Sequence, residues 1–241
     1  MAVIPLLLAL SGAAAVIGGL LALRRLGGGY RIGRLLAAAP AVTIADAVAS
    51  AGTDPARYVR IEGRISSDEE FPDEHDRPLV FRRRRLEVDD GDGWRTIEDE
   101  RLAVPFGLEE RTAFMAIDVE ALDDGLIVLR RESTGTAAEV PDRVPGGTAP
   151  TARVRHRLDQ VSAVEHAHAC GVPRTGPDGR PFLTAGLGRP LILTTLDVPE
   201  AMRVLASQRR GTTLAAALAL ASGSSLLVIA GVAALTGWRG A

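Results

Sequence analysis

The stretch Tyr58-Val59-Arg60-Ile61-Glu62-Gly63-Arg64-Ile65 decides the fold class of this chain. Its apolar and charged residues alternate in part, which is typical of a β-strand with one face in a core and the other in solvent. Six more strand-length apolar segments follow it: 78–82, 94–106, 113–119, 126–130, 181–184 and 190–196, together with a longer one over 161–172. Between the first two of them, Asp90-Gly91-Asp92-Gly93 is the clearest hairpin signal in the chain. The sequence therefore predicts a β-rich domain of short strands.

Two short helices accompany these strands. Residues 43–51 are expected to form one, with Thr43 as its N-cap, and residues 198–208 another, behind a capping box of Asp197 and Glu200. Residues 134–153 are rich in turn formers and are expected to form a long loop between two groups of strands. A faint similarity between 63–81 and 171–193 leaves open two similar small β-units. The fold class is thus α+β, with the β-rich domain over residues 24–212.

Two uncharged apolar blocks enclose that domain, over residues 1–23 and 213–235. As a helix, each block is about as long as the roughly 30 Å thickness of a bilayer core. The sequence therefore predicts two transmembrane helices, with a cleaved signal peptide or buried core helices as alternatives. Small residues at four-residue spacing, such as Gly19 in the first block and Gly223 in the second, would let the two helices pack closely together or against a second copy.

Arginines next to the two blocks predict the orientation of the chain in the membrane. Seven of them lie on the side of the enclosed domain, and only Arg239 lies on the other side; the seven are Arg24, Arg25, Arg31, Arg34, Arg203, Arg209 and Arg210. Positive charge favours the cytoplasmic side of a membrane. We therefore expect a two-span protein of the cell membrane whose β-rich domain faces the cytoplasm.

Composition excludes several classes of protein. The chain has 241 residues with a net charge of −2, which argues against a nucleic-acid binder, and its basic residues are all arginine. One cysteine excludes an intramolecular disulfide framework. With four histidines it gives too few ligands for a module that holds two zinc ions. No phosphate-binding loop, dinucleotide-binding or EF-hand pattern is present, so we expect no cofactor.

The order of the features along the chain resembles the GIDE family, also described as a "beside a membrane" domain. It runs from an apolar block and a short helix to a strand ending at Gly63, and then through three short motifs, a short helix and a last apolar block. Those motifs are Arg77-Pro78-Leu79-Val80-Phe81, Trp94-Arg95-Thr96-Ile97 with Val104-Pro105-Phe106, and Pro190-Leu191-Ile192-Leu193-Thr194 behind Gly171. The resemblance covers nearly the whole chain, and it lies in the order of these motifs.

The resemblance implies kinship with membrane-anchored mitochondrial RING-type E3 ubiquitin ligases and with many prokaryotic proteins. In those ligases a RING follows the second membrane helix, whereas this sequence ends at Ala241 and has too few cysteines and histidines for one. Ubiquitin transfer is therefore not expected here. The family's domain also faces the intermembrane space in mitochondria, which differs from the cytoplasmic orientation that the arginines predict.

His166, His168 and Cys170 are the only constellation of ligand-like residues. On a strand they would point to one face, where they could hold zinc or copper with a fourth ligand such as His156. The alternative is a semi-polar strand with Cys170 as a small buried residue. A thiol enzyme is not favoured, because neighbours on one strand do not provide a base held by an orienting acid.

The run Arg82-Arg83-Arg84-Arg85 has two interpretations. It could contact the headgroups of anionic membrane lipids. Alternatively, it is an edge-protecting strand whose charges pair with the acidic residues of 68–74. The sequence as a whole favours a non-enzymatic interaction or scaffold module at a membrane surface, with membrane lipids and a membrane or cytoplasmic protein as partners. An enzyme component, either ligase-like or metal-dependent, is the alternative.

Overall fold

The computed structural model describes residues 3–53, 55–89, 91, 93–123, 125–207 and 210–238. Its helices are α1 (Val3–Ala38), α2 (Ile44–Ala49), α3 (Val198–Ser207) and α4 (Arg210–Trp238). Its first six strands are β1 (Val59–Ser66), β2 (Phe71–Pro72), β3 (Pro78–Asp89), β4 (Trp94–Ala103), β5 (Gly107–Glu110) and β6 (Ala113–Ile117). The others are β7 (Leu126–Ile127), β8 (Arg131–Thr136), β9 (Arg153–Ser162), β10 (His166–Thr175), β11 (Pro181–Thr184) and β12 (Ile192–Thr194). The chain folds as two compact units, a β-rich unit over Leu35–Ala201 and a helical unit formed by the two ends.

The first sheet of the β-rich unit closes on itself. Its strands pair in the order β1, β5, β6, β11 and β10, and β10 pairs again with β1, so that five strands form a closed ring. On the other side, β10 also pairs with β12, which in turn pairs with β7. This ring confirms the expectation of a β-rich α+β domain of short strands.

Alternation along β1 determines which side chains enter the ring. Val59, Ile61 and Ile65 are buried, and they belong to one apolar cluster with Leu108 of β5 and Ala169 of β10. In the same strand Arg60, Glu62 and Arg64 point outward and remain partly or fully exposed. The partial alternation seen in the sequence therefore reports the two faces of this strand correctly.

The second sheet carries most of the charge. It is built around β3, which pairs with β9 on one side and with β2 and β4 on the other, and β8 continues beyond β9. The β3–β4 pairing confirms the hairpin predicted at 90–93, although Asp90 and Asp92 themselves lie outside the described residues. Two carboxylates in this sheet, Glu87 and Asp159, are buried, and each is paired with two arginines.

Several local features also differ from the sequence-based expectation. Residues 134–136 belong to β8, so the connection predicted over 134–153 begins later. The apolar run 161–172 is divided by a turn between β9 and β10, which lie in different sheets. The similar segments 63–81 and 171–193 are not two copies of one unit, because the first ends in β3 of the second sheet and the second in β12 of the first sheet.

The helical unit contains two long helices that touch through glycine. A Cβ on Gly12 of α1 would lie 2.9 Å from the carbonyl oxygen of Gly223 in α4, and a Cβ on Gly19 would lie 2.8 Å from Cγ of Leu220. Small residues at these positions let the two backbones approach closely. The expectation that small residues pair the two apolar blocks is therefore confirmed for Gly19 and Gly223. The helix α1 continues through Gly27, Gly28 and Gly29.

The prediction of two transmembrane helices, over 1–23 and 213–235, is wrong. A membrane span needs a long helical stretch of high hydropathy with few charges. Among the residues that the structure describes, no helix has such a stretch. The cell-membrane localisation and the orientation inferred from the arginines depended on these spans and are not supported; Arg209 and Arg239 of that count lie outside the described residues.

Candidate functional site

The three ligand-like residues lie on one face of β10, as their spacing predicted. In the pairing with β1, His166 stands opposite Arg64, His168 opposite Glu62, and Cys170 opposite Arg60. The face points away from the interior of the ring, because the residues between them, such as Ala169, belong to the core. His156, the proposed fourth ligand, lies on β9 in the other sheet.

The environments of these three side chains differ. Cys170 is fully buried, and burial raises the pKa of its thiol to about 12. His166 is exposed, whereas His168 is half-buried with its Nδ1 3.5 Å from Oε2 of Glu62. Within the described part of the chain, no three His, Cys, Asp or Glu side chains are grouped so that they could hold a metal ion. The arrangement therefore gives no support to a zinc or copper site.

The arginine run lies in the middle of a sheet. Arg82, Arg83, Arg84 and Arg85 belong to β3, which has neighbours on both sides and is not an edge strand. Each of the four pairs with a carboxylate: Arg82 with Glu100, Arg83 with Asp99 and Asp123, Arg84 with Glu74, and Arg85 with Asp159. Only Glu74 comes from the acidic segment that the sequence suggested. These guanidinium groups thus have intramolecular partners, as the alternative to lipid contact expected.

A cleft of about 940 Å³ opens beside β1. Its walls come from the segment before α2, from the outer face of β1, from the turn between β5 and β6, and from the start of β10. The charged residues and the histidine that line it are Asp46, Arg60, Glu62, Arg64, Glu109, Glu110, Arg111 and His166. The cleft therefore offers charges of both signs to a ligand.

A row of four exposed side chains crosses the sheet, and three of them line the cleft. Register places His166 of β10 opposite Arg64 of β1, Arg64 opposite Glu109 of β5, and Glu109 opposite Phe114 of β6. Phe114 keeps 45% of its surface exposed, although it is one of only five phenylalanines in the chain. We call these four residues, His166, Arg64, Glu109 and Phe114, the outer row. Since neighbouring strands lie about 4.8 Å apart, the outer row is roughly 15 Å long.

Three of the charged side chains that line the cleft differ from the others, which have partners in the chain. Among the described residues, Arg64, Glu109 and Arg111 make no ion pair or side-chain hydrogen bond, in contrast to the arginines of the run in β3, each of which pairs with a carboxylate. Arg111 also adopts φ +58° at the tip of the β5–β6 hairpin. This left-handed conformation normally favours glycine or asparagine.

Sequence reasoning did not find the outer row. The alternation in 58–65 already placed Arg60, Glu62 and Arg64 on the solvent face, so part of the signal was present. Which side chains of β5, β6 and β10 join them depends on the pairing of strands far apart in the sequence. No family model, curated protein or solved structure significantly matches this chain, so the resemblance to the GIDE family stays a prediction.

Proposed function

We propose that this chain is a non-enzymatic interaction module whose β-rich unit binds an extended segment of a partner protein along the outer row. The observation that carries the proposal is the group of unpaired charges, Arg64, Glu109 and Arg111, beside the exposed ring of Phe114. Aromatic and arginine side chains supply most of the energy of protein interfaces. Charges without partners can pair with a ligand without first breaking an existing bond.

The geometry suggests the chemistry of the partner segment. Arg64, Glu109 and Phe114 follow one another at one strand spacing, about 5 Å, so side chains on one face of an extended segment, about 7 Å apart at alternate positions, can reach them in order. A segment with an acidic residue over Arg64 and an apolar residue over Phe114 would match both. A basic residue between them would meet Glu109. Because the cleft has charges of both signs, it favours a segment with this mixed pattern over a segment whose charges all have the same sign.

Site-specific photocrosslinking in cells tests the proposal. A photoreactive phenylalanine analogue at position 114 keeps the aromatic ring and reports whatever lies against it. The matched control carries the same analogue at position 129, because Leu129 is 64% exposed and lies outside the outer row. We expect one protein to be crosslinked from position 114 and not from position 129.

Charge reversal then shows whether the row is responsible. Arg64→Glu combined with Arg111→Glu should lower the crosslinking from position 114, and the affinity for a synthetic peptide of the partner, at least tenfold. Arg180→Glu is the control, since the side chain of Arg180 is 85% exposed in the β10–β11 turn. Far-UV circular dichroism would show that each variant is folded. Equal crosslinking from both positions, or an affinity indifferent to the double reversal, would contradict the proposal.

A further inference from the structure

One face of α1 has large apolar side chains at the spacing of a helix–helix seam. Leu7, Leu10, Ala14, Ile17 and Leu21 follow one another at intervals of three, four, three and four residues, and all five are exposed. This is the heptad spacing at which one helix packs against another, with side chains of each filling the spaces of its partner. The large ones among them keep 53–60% of their surface exposed.

This outer face of α1 is not the face that meets α4. The contact between the two helices runs through Gly12 and Gly19, where the nearest atoms belong to α4. At about 100° per residue, these glycines lie roughly on the opposite side of α1 from Leu10 and Ile17. Among the described residues, the packing of α1 against α4 therefore leaves the outer face uncovered.

Gly18 provides a second, independent observation on the same face. It is exposed, and no atom lies within 4 Å of the position that a Cβ would occupy. Glycine inside a helix is unfavourable, so it is expected where another backbone approaches closely. Gly12 and Gly19 fulfil that role toward α4, whereas nothing within the described chain approaches Gly18.

The outer face of α1 presents an apolar area at the lower limit for a specific interface. Its large side chains Leu7, Leu10, Ile17 and Leu21 are 53–60% exposed. Together they present on the order of 400 Å² of apolar surface in each copy, to which smaller residues such as Ala14 and Gly18 add. Two copies would thus bury roughly 1,000 Å², the size at which specific interfaces begin.

We propose that two copies of this chain associate through the outer faces of their α1 helices, so that the two helical units form a four-helix bundle. A second copy is the occupant because an isologous contact lets the seam meet an identical seam, with equal spacing and small residues facing large ones. The same surface offers no charge that would select a partner of different chemistry, since residues 6–21 carry none.

Disulfide crosslinking of the full-length chain tests this association. Ala14 lies at the centre of the seam, so Ala14→Cys is close to its counterpart whether the two helices run parallel or antiparallel. Ala13→Cys is the matched control, because it changes the same residue type about 100° further around the helix. Cys170 is buried and does not interfere. Under mild oxidation we expect most of the Ala14→Cys chain to form a covalent dimer, and at least fivefold less of the Ala13→Cys chain.

Sedimentation of the unmodified chain provides a readout without cysteine chemistry. We expect the unmodified chain to be a dimer at micromolar concentration. The double variant Leu10→Glu with Ile17→Glu should have a dimer dissociation constant at least tenfold higher. Circular dichroism checks that this variant is folded; if it is not, the crosslinking comparison decides. A monomer, equal dimer yields from positions 13 and 14, or adducts of Ala14→Cys only with a different protein would overturn the proposal.

Discussion

The carboxylate of Asp159 accepts a hydrogen bond from Nη2 of Arg85 at 2.9 Å, and the carboxylate is almost completely buried. Arg130 donates to the same carboxylate through Nε at 2.8 Å. One acidic group in β9 thus neutralises two arginines that come from β3 and from the segment before β8. Because all three charges are partly or fully withdrawn from water, the loss of one leaves the others uncompensated.

Asp159→Asn should therefore destabilise the β-rich unit strongly. The amide keeps the shape of the carboxylate but cannot balance two guanidinium groups, so we expect a loss of about 3 kcal/mol in the free energy of unfolding. Urea unfolding followed by circular dichroism measures it. Glu132→Gln is the matched control, since Glu132 pairs with Arg157 at a more exposed position and should cost less than about 1 kcal/mol. Equal effects of the two substitutions would contradict the conclusion that the carboxylate of Asp159 balances the charges of Arg85 and Arg130.

Gly63→Ala tests the close contact between β1 and its surroundings. A Cβ on Gly63 would lie 2.7 Å from the carbonyl oxygen of Glu109 and 2.8 Å from Cδ1 of Ile44. The backbone oxygen cannot move without disturbing β5, so we expect a destabilisation of about 1–3 kcal/mol in urea unfolding. Gly146→Ala is the control, because nothing lies within 4 Å of its Cβ position. Tolerance of alanine at both positions would show that β1 and β5 are less tightly joined than described.

Local signals in the sequence predicted local structure well. Thr43 caps α2, and its side chain accepts a hydrogen bond from the backbone N–H of Asp46, because a cap depends on residues within one turn. The partial alternation in 58–65 predicted which residues of β1 are buried, since the faces of a strand follow from its own sequence.

Features that depend on distant residues could not be predicted in the same way. The apolar run 161–172 conceals a turn, and its two halves enter different sheets because their partners lie elsewhere in the chain. The outer row joins side chains of four strands, and register between such strands follows from packing that no single segment contains. Hydropathy of the terminal blocks suggested membrane spans that the described helices do not bear out.

The thiol of Cys170 should be inert in the folded chain. It is fully buried, and burial raises its pKa to about 12, so that at pH 8 only roughly one thiol in ten thousand is ionised. Because the thiolate is the reactive form, a thiol reagent should label less than about a tenth of the folded chain within an hour. The same chain in urea should be labelled completely. Rapid stoichiometric labelling without urea would contradict the burial of Cys170.

The stability of the β-rich unit should decrease as the pH falls through the titration range of His156. Burial lowers the pKa of this side chain first, and the positive charges of Arg143 and Arg84 lower it further, while Glu74 and Glu98 oppose them only in part. The unfolded chain therefore binds a proton near pH 6.5, where the folded chain at this position does not yet. Stability is retained above about pH 6.5 and is lost as the pH decreases toward the lowered pKa of the folded state.

Urea unfolding between pH 7.5 and 5 measures this dependence, and the comparison with His156→Gln isolates the contribution of one side chain. Glutamine keeps a polar group opposite Leu86 of β3 but does not titrate, so the variant should lose less stability than the unmodified chain as the pH is lowered. His166→Gln, on an exposed position of the first sheet, controls for the replacement of a histidine as such. If His156→Gln and the unmodified chain showed parallel pH dependences, then protonation of His156 would not be coupled to folding. Burial of the imidazole and the charges of Arg143 and Arg84 would then be too weak to lower its pKa in the folded chain.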